Sequence, residues 1–257
     1  LLIVGGGYIG LEAAATARKF GVDVTLVEIE ERILKRVAAK ETSDYIRSLH
    51  ISNGVNIKEA VGLGKLEIAD DKVLSALLTD GSDINVDFVI VGIGITPNTE
   101  LAEGANLKIN NGIFINDKCQ TSVSNIYAAG DCTSFEYKDT LVRLESVGNA
   151  IDQATIVAQN IMKQNTNYIP KPWFWSDQYD LKLQIAGLNT GYDDVIVRKG
   201  KNKQISHWYF KGQSLLAVDA LNDPRCYMIG KRLIEENKSP PKNQLRDENF
   251  NLKVLLK

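Results

Sequence analysis

Leu1-Leu2-Ile3-Val4-Gly5-Gly6-Gly7-Tyr8-Ile9-Gly10 opens the chain and decides its fold. Leu1 to Val4 is a short apolar run of the kind shown by a strand buried on both faces. Gly5, Gly7 and Gly10 then satisfy G-x-G-x-x-G, and Leu11 to Arg18 behind them is rich in helix formers, so the glycines fall at a strand-to-helix turn. In such a turn one glycine bends the chain, one lets backbone approach a pyrophosphate, and one lets helix and strand pack closely. The helix N-terminus faces the phosphates with its partial positive charge.

The surrounding residues extend the pattern. Gly21 ends the helix, Val22 to Val27 reads as a second strand, and Glu28 stands at its C-terminal end, eighteen residues beyond Gly10. An acid there accepts hydrogen bonds from the adenosine ribose hydroxyls and repels a 2′-phosphate, which favours NAD over NADP; the bland alternative is a solvated strand end. Arg32, four positions on, is a candidate for adenine or phosphate. Val55-Asn56-Ile57, Lys65 to Ile68 and Ala76 to Thr79 read as short strands of a small antiparallel insert. Phe88 to Val91 returns as a fully apolar strand ending in Gly92-Ile93-Gly94, and Gly94 is a candidate contact on the nicotinamide side.

Residues 95–168 change character. Thr96-Pro97-Asn98 breaks the chain, and Gly112 to Ile115 looks like a short strand. Ile126 to Gly130 reads as an apolar strand with small residues, leading into Asp131. That carboxylate either accepts hydroxyls of a ligand lying close to the glycine or caps the next segment of chain. After Glu145-Ser146-Val147 comes a helical run to about Lys163, whose Ile151, Ala154, Val157, Ala158 and Ile161 are expected in the core. Pro170-Lys171-Pro172 marks a boundary. Trp173 to Tyr179 is dense in aromatics and reads as packing at a domain interface. Strands come next around Leu183–Ala186, Val195–Val197, Ser206–Phe210 and Leu215–Val218, with a helix from Arg225 to Glu236.

Composition excludes several classes. With 44% hydrophobic and 24% charged residues, the 257-residue chain reads as a folded globule. No stretch approaches the roughly 20 apolar residues of a membrane helix. No Lys/Arg run or basic–aromatic interleaving points to nucleic acid. Residues 1–169 carry 15 basic and 22 acidic groups, whereas residues 170–257 carry 15 and 10, an excess suited to steering an acidic protein partner or simply a solvated surface. Cys119, Cys132 and Cys226 form no close pair and have only His50 and His207 beside them, so no metal site is expected. Unpaired cysteines fit a reducing cytoplasm.

Taken in order, the glycine motif with Leu11-Glu12, the Val24 to Glu28 strand, Ile126 to Asp131, Arg143-Leu144-Glu145-Ser146-Val147 and Pro172 to Gln178 resemble the FAD-dependent NADH:ferredoxin/rubredoxin reductases of the pyridine nucleotide-disulfide oxidoreductase superfamily. The resemblance covers essentially the whole chain. It implies an α/β fold with a Rossmann-type NAD-binding domain over 1–94, the C-terminal part of an FAD-binding domain over 95–168, and an α+β C-terminal reductase domain over 169–257. It also implies a flavoprotein that passes electrons from NADH through FAD to a ferredoxin or rubredoxin-type iron–sulfur protein, and it leaves a homodimer open. By resemblance, Gly5, Gly7, Tyr8, Ile9, Gly10, Glu12, Glu28, Arg32 and Gly94 hold NAD, with Glu12 near the nicotinamide. Asp131 binds the FAD ribitol and Val147 lies over the isoalloxazine. No residue is expected to act as a general acid or base, because hydride transfer belongs to the cofactors.

Two other readings stay open: an NAD-binding flavoprotein of the apoptosis-inducing-factor type, and a disulfide reductase whose cysteine pair lies upstream of Leu1. The family opens on an FAD-binding glycine strand and helix, and Leu1 looks like the middle of a longer protein. The expectation is therefore that this chain carries the NADH site and one edge of the flavin site, and retains little FAD. Flavin absorbance of the purified chain checks this, and stoichiometric flavin would overturn it.

Overall fold

The computed structural model describes residues 1–256. Strand β1 (Leu2–Val4) enters the glycine turn, helix α1 (Tyr8–Lys19) leaves it, and β2 (Val24–Glu28) returns parallel to β1 with Ile3 opposite Leu26. Helix α1 buries Gly10, Leu11, Ala14 and Ala15, a stripe of mostly small side chains that lets it lie close on the strands. Helix α2 (Lys40–Ser52) leads to β3 (Val55–Glu59). The antiparallel sheet of β4 (Leu63–Ala69), β5 (Lys72–Leu78) and β6 (Asp83–Asn85) comes next. Strand β7 (Val89–Val91) then completes a parallel sheet of order β3-β2-β1-β7.

Val55-Asn56-Ile57 therefore belongs to the parallel sheet and not to the antiparallel insert; Val24 pairs with Val55 and Leu26 with Ile57 in parallel register. Its alternation, buried at Val55 and exposed at Asn56, is that of an edge strand, which hides its sheet membership from a sequence reading. The insert packs its own apolar side onto the parallel sheet, Ala76, Leu78 and Val86 meeting Leu2 and Val27.

In the next stretch, short helix α3 (Glu100–Gly104) precedes β8 (Ile113–Phe114), β9 (Thr133–Tyr137) and β10 (Thr140–Val142), a small sheet of order β10-β9-β8. Ile126 to Gly130 is not a strand. It is irregular: a bridge joins Tyr127 to Gln120, Ile126 N donates to Val123 O and Ala128 N to Cys119 O in place of a continuous ladder, and Gly130 N turns to the Gln153 side chain.

Helix α4 (Val147–Ile161) reverses the expected packing. Ile151, Ala154, Ala158 and Ile161 are exposed and Val157 half-buried, while the buried residues are Asn149, Gln153 and Asn160. The irregular backbone beneath supplies the reason, since its buried polar groups need partners. Gln153 Oε1 accepts from Gly130 N at 2.7 Å and from Thr133 Oγ1 at 2.9 Å. Asn160 donates to the carbonyls of Lys118 and Thr166 and accepts from Thr166 N. Asn149 donates to Leu144 O and accepts from the Tyr168 hydroxyl at 2.5 Å.

The last part is an antiparallel sheet of β11 (Trp173–Gln178), β12 (Leu181–Gly187), β13 (Asp194–Lys199), β14 (Ile205–Lys211) and β15 (Ser214–Leu221), in the order β11-β12-β15-β14-β13. Helix α5 (Pro224–Glu235) begins on an Asp223 side-chain cap with Pro224 at its first turn. It lays Cys226, Ile229, Leu233 and Ile234 on Trp208, Val218 and Ala220. A side chain at Gly230 would come within 2.6 Å of Val218 Cγ2, so the helix sits close to the sheet. Arg198, almost fully buried, then gathers the end of the chain: its guanidinium donates to the carbonyl of Leu245 in helix α6 (Lys242–Arg246) and to those of Asp247, Glu248 and Phe250 beyond it. By packing, the chain divides into two compact units, one made of Leu1–Gly94 with the stretch from Trp175 onward, the other of Ile95–Phe174. Among the described residues no helix is long and apolar enough to cross a membrane.

Gln153→Leu keeps volume but strands the buried Gly130 N–H, so the variant is expected to lose about 1–3 kcal/mol of stability. A urea unfolding curve that matches the wild type would show that the Gln153 bond carries nothing.

Candidate functional site

The glycine turn is shaped by close approach. A Cβ on Gly5 would lie 2.3 Å from Gly92 O, and a Cβ on Gly10 would lie 2.1 Å from Gly5 O, so neither position accepts any other residue without moving backbone. A Cβ on Gly7 would meet nothing within 4 Å. Gly7 is also the N-cap of α1, and no side chain caps that helix end. The first-turn N–H groups of α1 thus have no capping side chain, and the space over Gly7 is open, the setting an anionic phosphate needs. The residues present fit a dinucleotide.

Glu28 holds a tighter position than sequence suggests. Its Oε2 accepts from Gly6 N at 2.7 Å and its Oε1 from Glu30 N at 2.9 Å, which fixes the carboxylate beside the turn while leaving lone pairs for ligand hydroxyls. The loop after β2 is pinned from behind by Glu59, which accepts from Ile33 N and takes a bidentate bond from Arg47. Neither Gly6 nor Glu59 stands out in the sequence as a site residue; a glycine inside the motif and an acid ending a strand next to the ribose acid were the only signals. Arg32 is committed to its own loop, donating to Ala38 O at 2.9 Å and to the Ser43 hydroxyl.

Tyr8 and Ile9 diverge. Ile9 is exposed, whereas the Tyr8 hydroxyl is buried without a hydrogen-bond partner. Burial, reinforced by the charge of Asp219, holds that phenol well above its ordinary pKa. Asp219 belongs to a buried cluster that joins α2 to the C-terminal sheet. It accepts from Thr42 Oγ1 at 2.7 Å and from the Tyr209 hydroxyl, which itself accepts from Ala39 N. Because Thr42 spends its proton on Asp219, His207 donates Nδ1–H to Thr42 Oγ1 at 2.7 Å. Burial pushes Asp219 up to about 6 and His207 down to about 4.

Glu12, half-buried on the second turn of α1, accepts from Ser176 Oγ at 2.6 Å. Gly94, with φ +118, ends the backbone beyond β7, and a side chain there would meet open space. Gly5, Gly10 and Glu28 are thus drawn together at the carboxyl ends of β1 and β2.

In the other unit, Asp131 is exposed and Gly130 before it has φ +91. Ser146 caps α4, accepting from Asn149 N at 3.2 Å, and places Val147 in the first turn with 58% of its surface exposed. Arg143 pairs with Glu145 at 2.6 Å. A Cβ on Gly148 would lie 2.5 Å from Trp173 Nε1, so the indole rests on this helix start. An exposed acid after a left-handed glycine, together with the exposed Val147 side chain in the first turn of α4, fits one edge of a flavin nucleotide. Among the described residues no group of three His, Cys, Asp or Glu lies together as a metal site. Cys119 and Cys226 are buried, with thiol pKa values pushed up to about 11 and about 12 by burial.

A parallel sheet of this order with a glycine turn and an acid at the next strand end defines a dinucleotide-binding Rossmann-type protein. Residues 1–154 match the pyridine nucleotide-disulphide oxidoreductase family and residues 173–256 match the reductase C-terminal family, and the chain belongs to the first of these with the second as its C-terminal part. It is 39% identical over 259 residues to rhodocoxin reductase of Rhodococcus erythropolis, covering 100% of this chain and 61% of that protein. To putidaredoxin reductase CamA of Pseudomonas putida it is 41% identical over 261 residues, covering 100% and 62%. The crystal structure of the covalent putidaredoxin reductase–putidaredoxin complex superposes with a TM-score of 0.95 at 41% identity, covering 99% of this chain and 62% of that one. The chain thus spans a little over three fifths of the length of the curated relatives it matches.

His207 and Asp219 act on stability in opposite senses. A folded-state pKa below the unfolded 6.5 makes the His207 contribution fall as pH drops from about 6.5 toward 4, while the raised Asp219 value makes its contribution fall as pH rises through about 6. Comparing wild type with His207→Gln isolates the first: the wild-type advantage is expected to shrink by roughly 2 kcal/mol between pH 7 and pH 4.5 in urea unfolding. A constant difference would mean that His207 titrates normally.

Proposed function

We propose that this chain forms the NADH-binding and C-terminal parts of an FAD-dependent reductase that passes electrons to a ferredoxin or rubredoxin-type iron–sulfur protein. The observation that carries the reading is the Glu28 carboxylate, fixed by Gly6 N–H beside an uncapped helix N-terminus. That pair offers a ribose acceptor beside a pyrophosphate cradle. The dinucleotide then runs across the strand ends from β2 past β1 toward β7, which puts the nicotinamide on the side of Gly94 and Glu12. Residues 1–94 make this NAD-binding domain.

Gly5, Gly7, Ile9 and Gly10 line the pyrophosphate, Glu28 binds the ribose, and Arg32 shapes the adenosine loop through its carbonyl bonds. Tyr8 supports the turn from beneath, its hydroxyl being buried. Residues 95–168 form part of an FAD-binding domain in which Asp131 accepts from the ribitol and Val147 covers the ring at the α4 start. When bound, the flavin supplies the conversion of a two-electron hydride into single electrons. Residues 169–257 form the reductase C-terminal domain, whose basic excess suits an acidic acceptor. The names of the relatives support the redoxin as acceptor.

Glu28→Arg removes the ribose acceptor and supplies a cation for a 2′-phosphate. The ratio of NADH to NADPH affinity is expected to fall at least about tenfold, equivalent to one lost charged hydrogen bond. Fluorescence titration with both nucleotides measures it, and an unchanged preference sinks the ribose assignment.

A further inference from the structure

A single file of hydrogen bonds, buried at its centre and partly buried at both ends, runs from Tyr179 to Glu12. The Tyr179 hydroxyl meets His50 Nδ1 at 3.2 Å, His50 Nε2 meets Gln178 Oε1 at 2.8 Å, Gln178 Nε2 meets Ser176 Oγ at 2.9 Å, and Ser176 Oγ meets Glu12 Oε1 at 2.6 Å. His50, Gln178 and Ser176 are each fully buried, and Tyr179 is half-buried with its ring edge-on to His50. All five residues lie in the same compact unit.

The direction of every bond is set from one end. A carboxylate only accepts, so Ser176 must donate its proton to Glu12 and can offer Gln178 only a lone pair. Gln178 therefore turns its amide N–H toward Ser176 and its carbonyl oxygen toward His50. His50 in turn carries its proton on Nε2 and accepts from the Tyr179 hydroxyl at Nδ1. Burial lowers the His50 pKa and so favours this neutral form. Four donors thus point the same way, and bonds aligned head to tail polarise one another toward the final acceptor. An amide in the middle of the file carries no proton onward under ordinary conditions, so the file orients and does not conduct.

We propose that Ser176, Gln178 and His50 are positioning residues for nicotinamide recognition: they hold Glu12 by Oε1 so that Oε2 is presented to the carboxamide N–H2 of the nicotinamide. The Ser176 bond engages Oε1, and a carboxylate has acceptor sites on both oxygens, so Oε2 keeps lone pairs to offer a ligand. The side chain of a helical residue leans over the turn before it, which aims Glu12 at the mouth of the glycine turn. The inference rests on the reading that places the nicotinamide end beside Glu12. It adds that the C-terminal domain takes part in ligand recognition through a residue that never touches the ligand.

The experiment compares NADH with ADP-ribose, which fills the adenosine and pyrophosphate sites and lacks the nicotinamide. In the full chain, Glu12→Gln, Ser176→Ala and Gln178→Leu are each expected to weaken NADH about tenfold while leaving ADP-ribose within twofold, and Ser176→Thr is expected to bind both as the wild type does. Retained ADP-ribose affinity shows that a variant is folded. If Glu12→Gln leaves the NADH to ADP-ribose ratio unchanged, the placement of the nicotinamide falls and the inference with it. If Glu12→Gln lowers the ratio but Ser176→Ala and Gln178→Leu do not, the positioning file alone falls. Equal loss of both ligands marks a merely structural role and also overturns it. A measurement without mutation completes the test: 15N spectra should show the His50 proton on Nε2 and a shift of that signal on adding NADH but not ADP-ribose, and the Nδ1–H form would reverse the file and refute it.

Discussion

The approach of α1 to the ends of β1 and β7 governs the rest of this protein. With Gly10 and Gly5 meeting at a distance no side chain tolerates, the helix axis is driven onto the sheet and its N-terminus is left facing outward. The stripe of small residues along α1 continues that approach over the length of β1. Everything polar in the site is arranged around this fixed point. Glu28 reaches it from β2 through Gly6, and Ser176 reaches it from the C-terminal sheet through Glu12.

Legibility tracked the range of the interactions. The parallel strands β1, β2 and β7 are mostly apolar and adjoin glycines, so local pattern identified them, as it did β12 to β15 of the C-terminal sheet, whereas Trp173–Gln178, read as interface packing, is the edge strand β11. Helix α2 was not anticipated, because its buried side includes the polar Thr42, Ser43 and His50; the partners of Thr42 and His50 lie far along the chain, and Ser43 bonds the Ile33 carbonyl. Helix α4 was located but turned the wrong way round. Its apolar spacing was real, yet the buried side is set by backbone groups of an irregular segment that Asn160 and Gln153 satisfy. Within the site, Gly5, Gly10 and Glu28 emerge from motif chemistry. The tie from Glu59 to the loop and the hold of Ser176 on Glu12 span 26 and 164 residues and leave no local trace.

Two buried polar systems join the N-terminal sheet region to the C-terminal sheet, and they differ in kind. The Asp219 cluster is compact, with Thr42, Tyr209 and Ala39 all converging on it or on its neighbour, and it fixes α2 against β14 and β15. The file ending at Glu12 is linear and terminates in a half-buried acid beside the nucleotide turn. Satisfied polar contacts of this sort are direction-specific in a way that apolar packing is not, so they define how the reductase C-terminal region seats on the dinucleotide-binding region. Apolar packing does most of its work elsewhere, between α5 and its own sheet.

The end of the chain illustrates a different economy. Arg198 grips residues 245–250 solely by main-chain oxygens, four of them shared among the nitrogens of one planar fork. Such a grip reads the path of the backbone and is blind to the side chains along it. The tail beyond α6 is therefore free to change its surface chemistry while its course stays fixed. A lysine at position 198, with one nitrogen and three protons, has no fork with which to span that course.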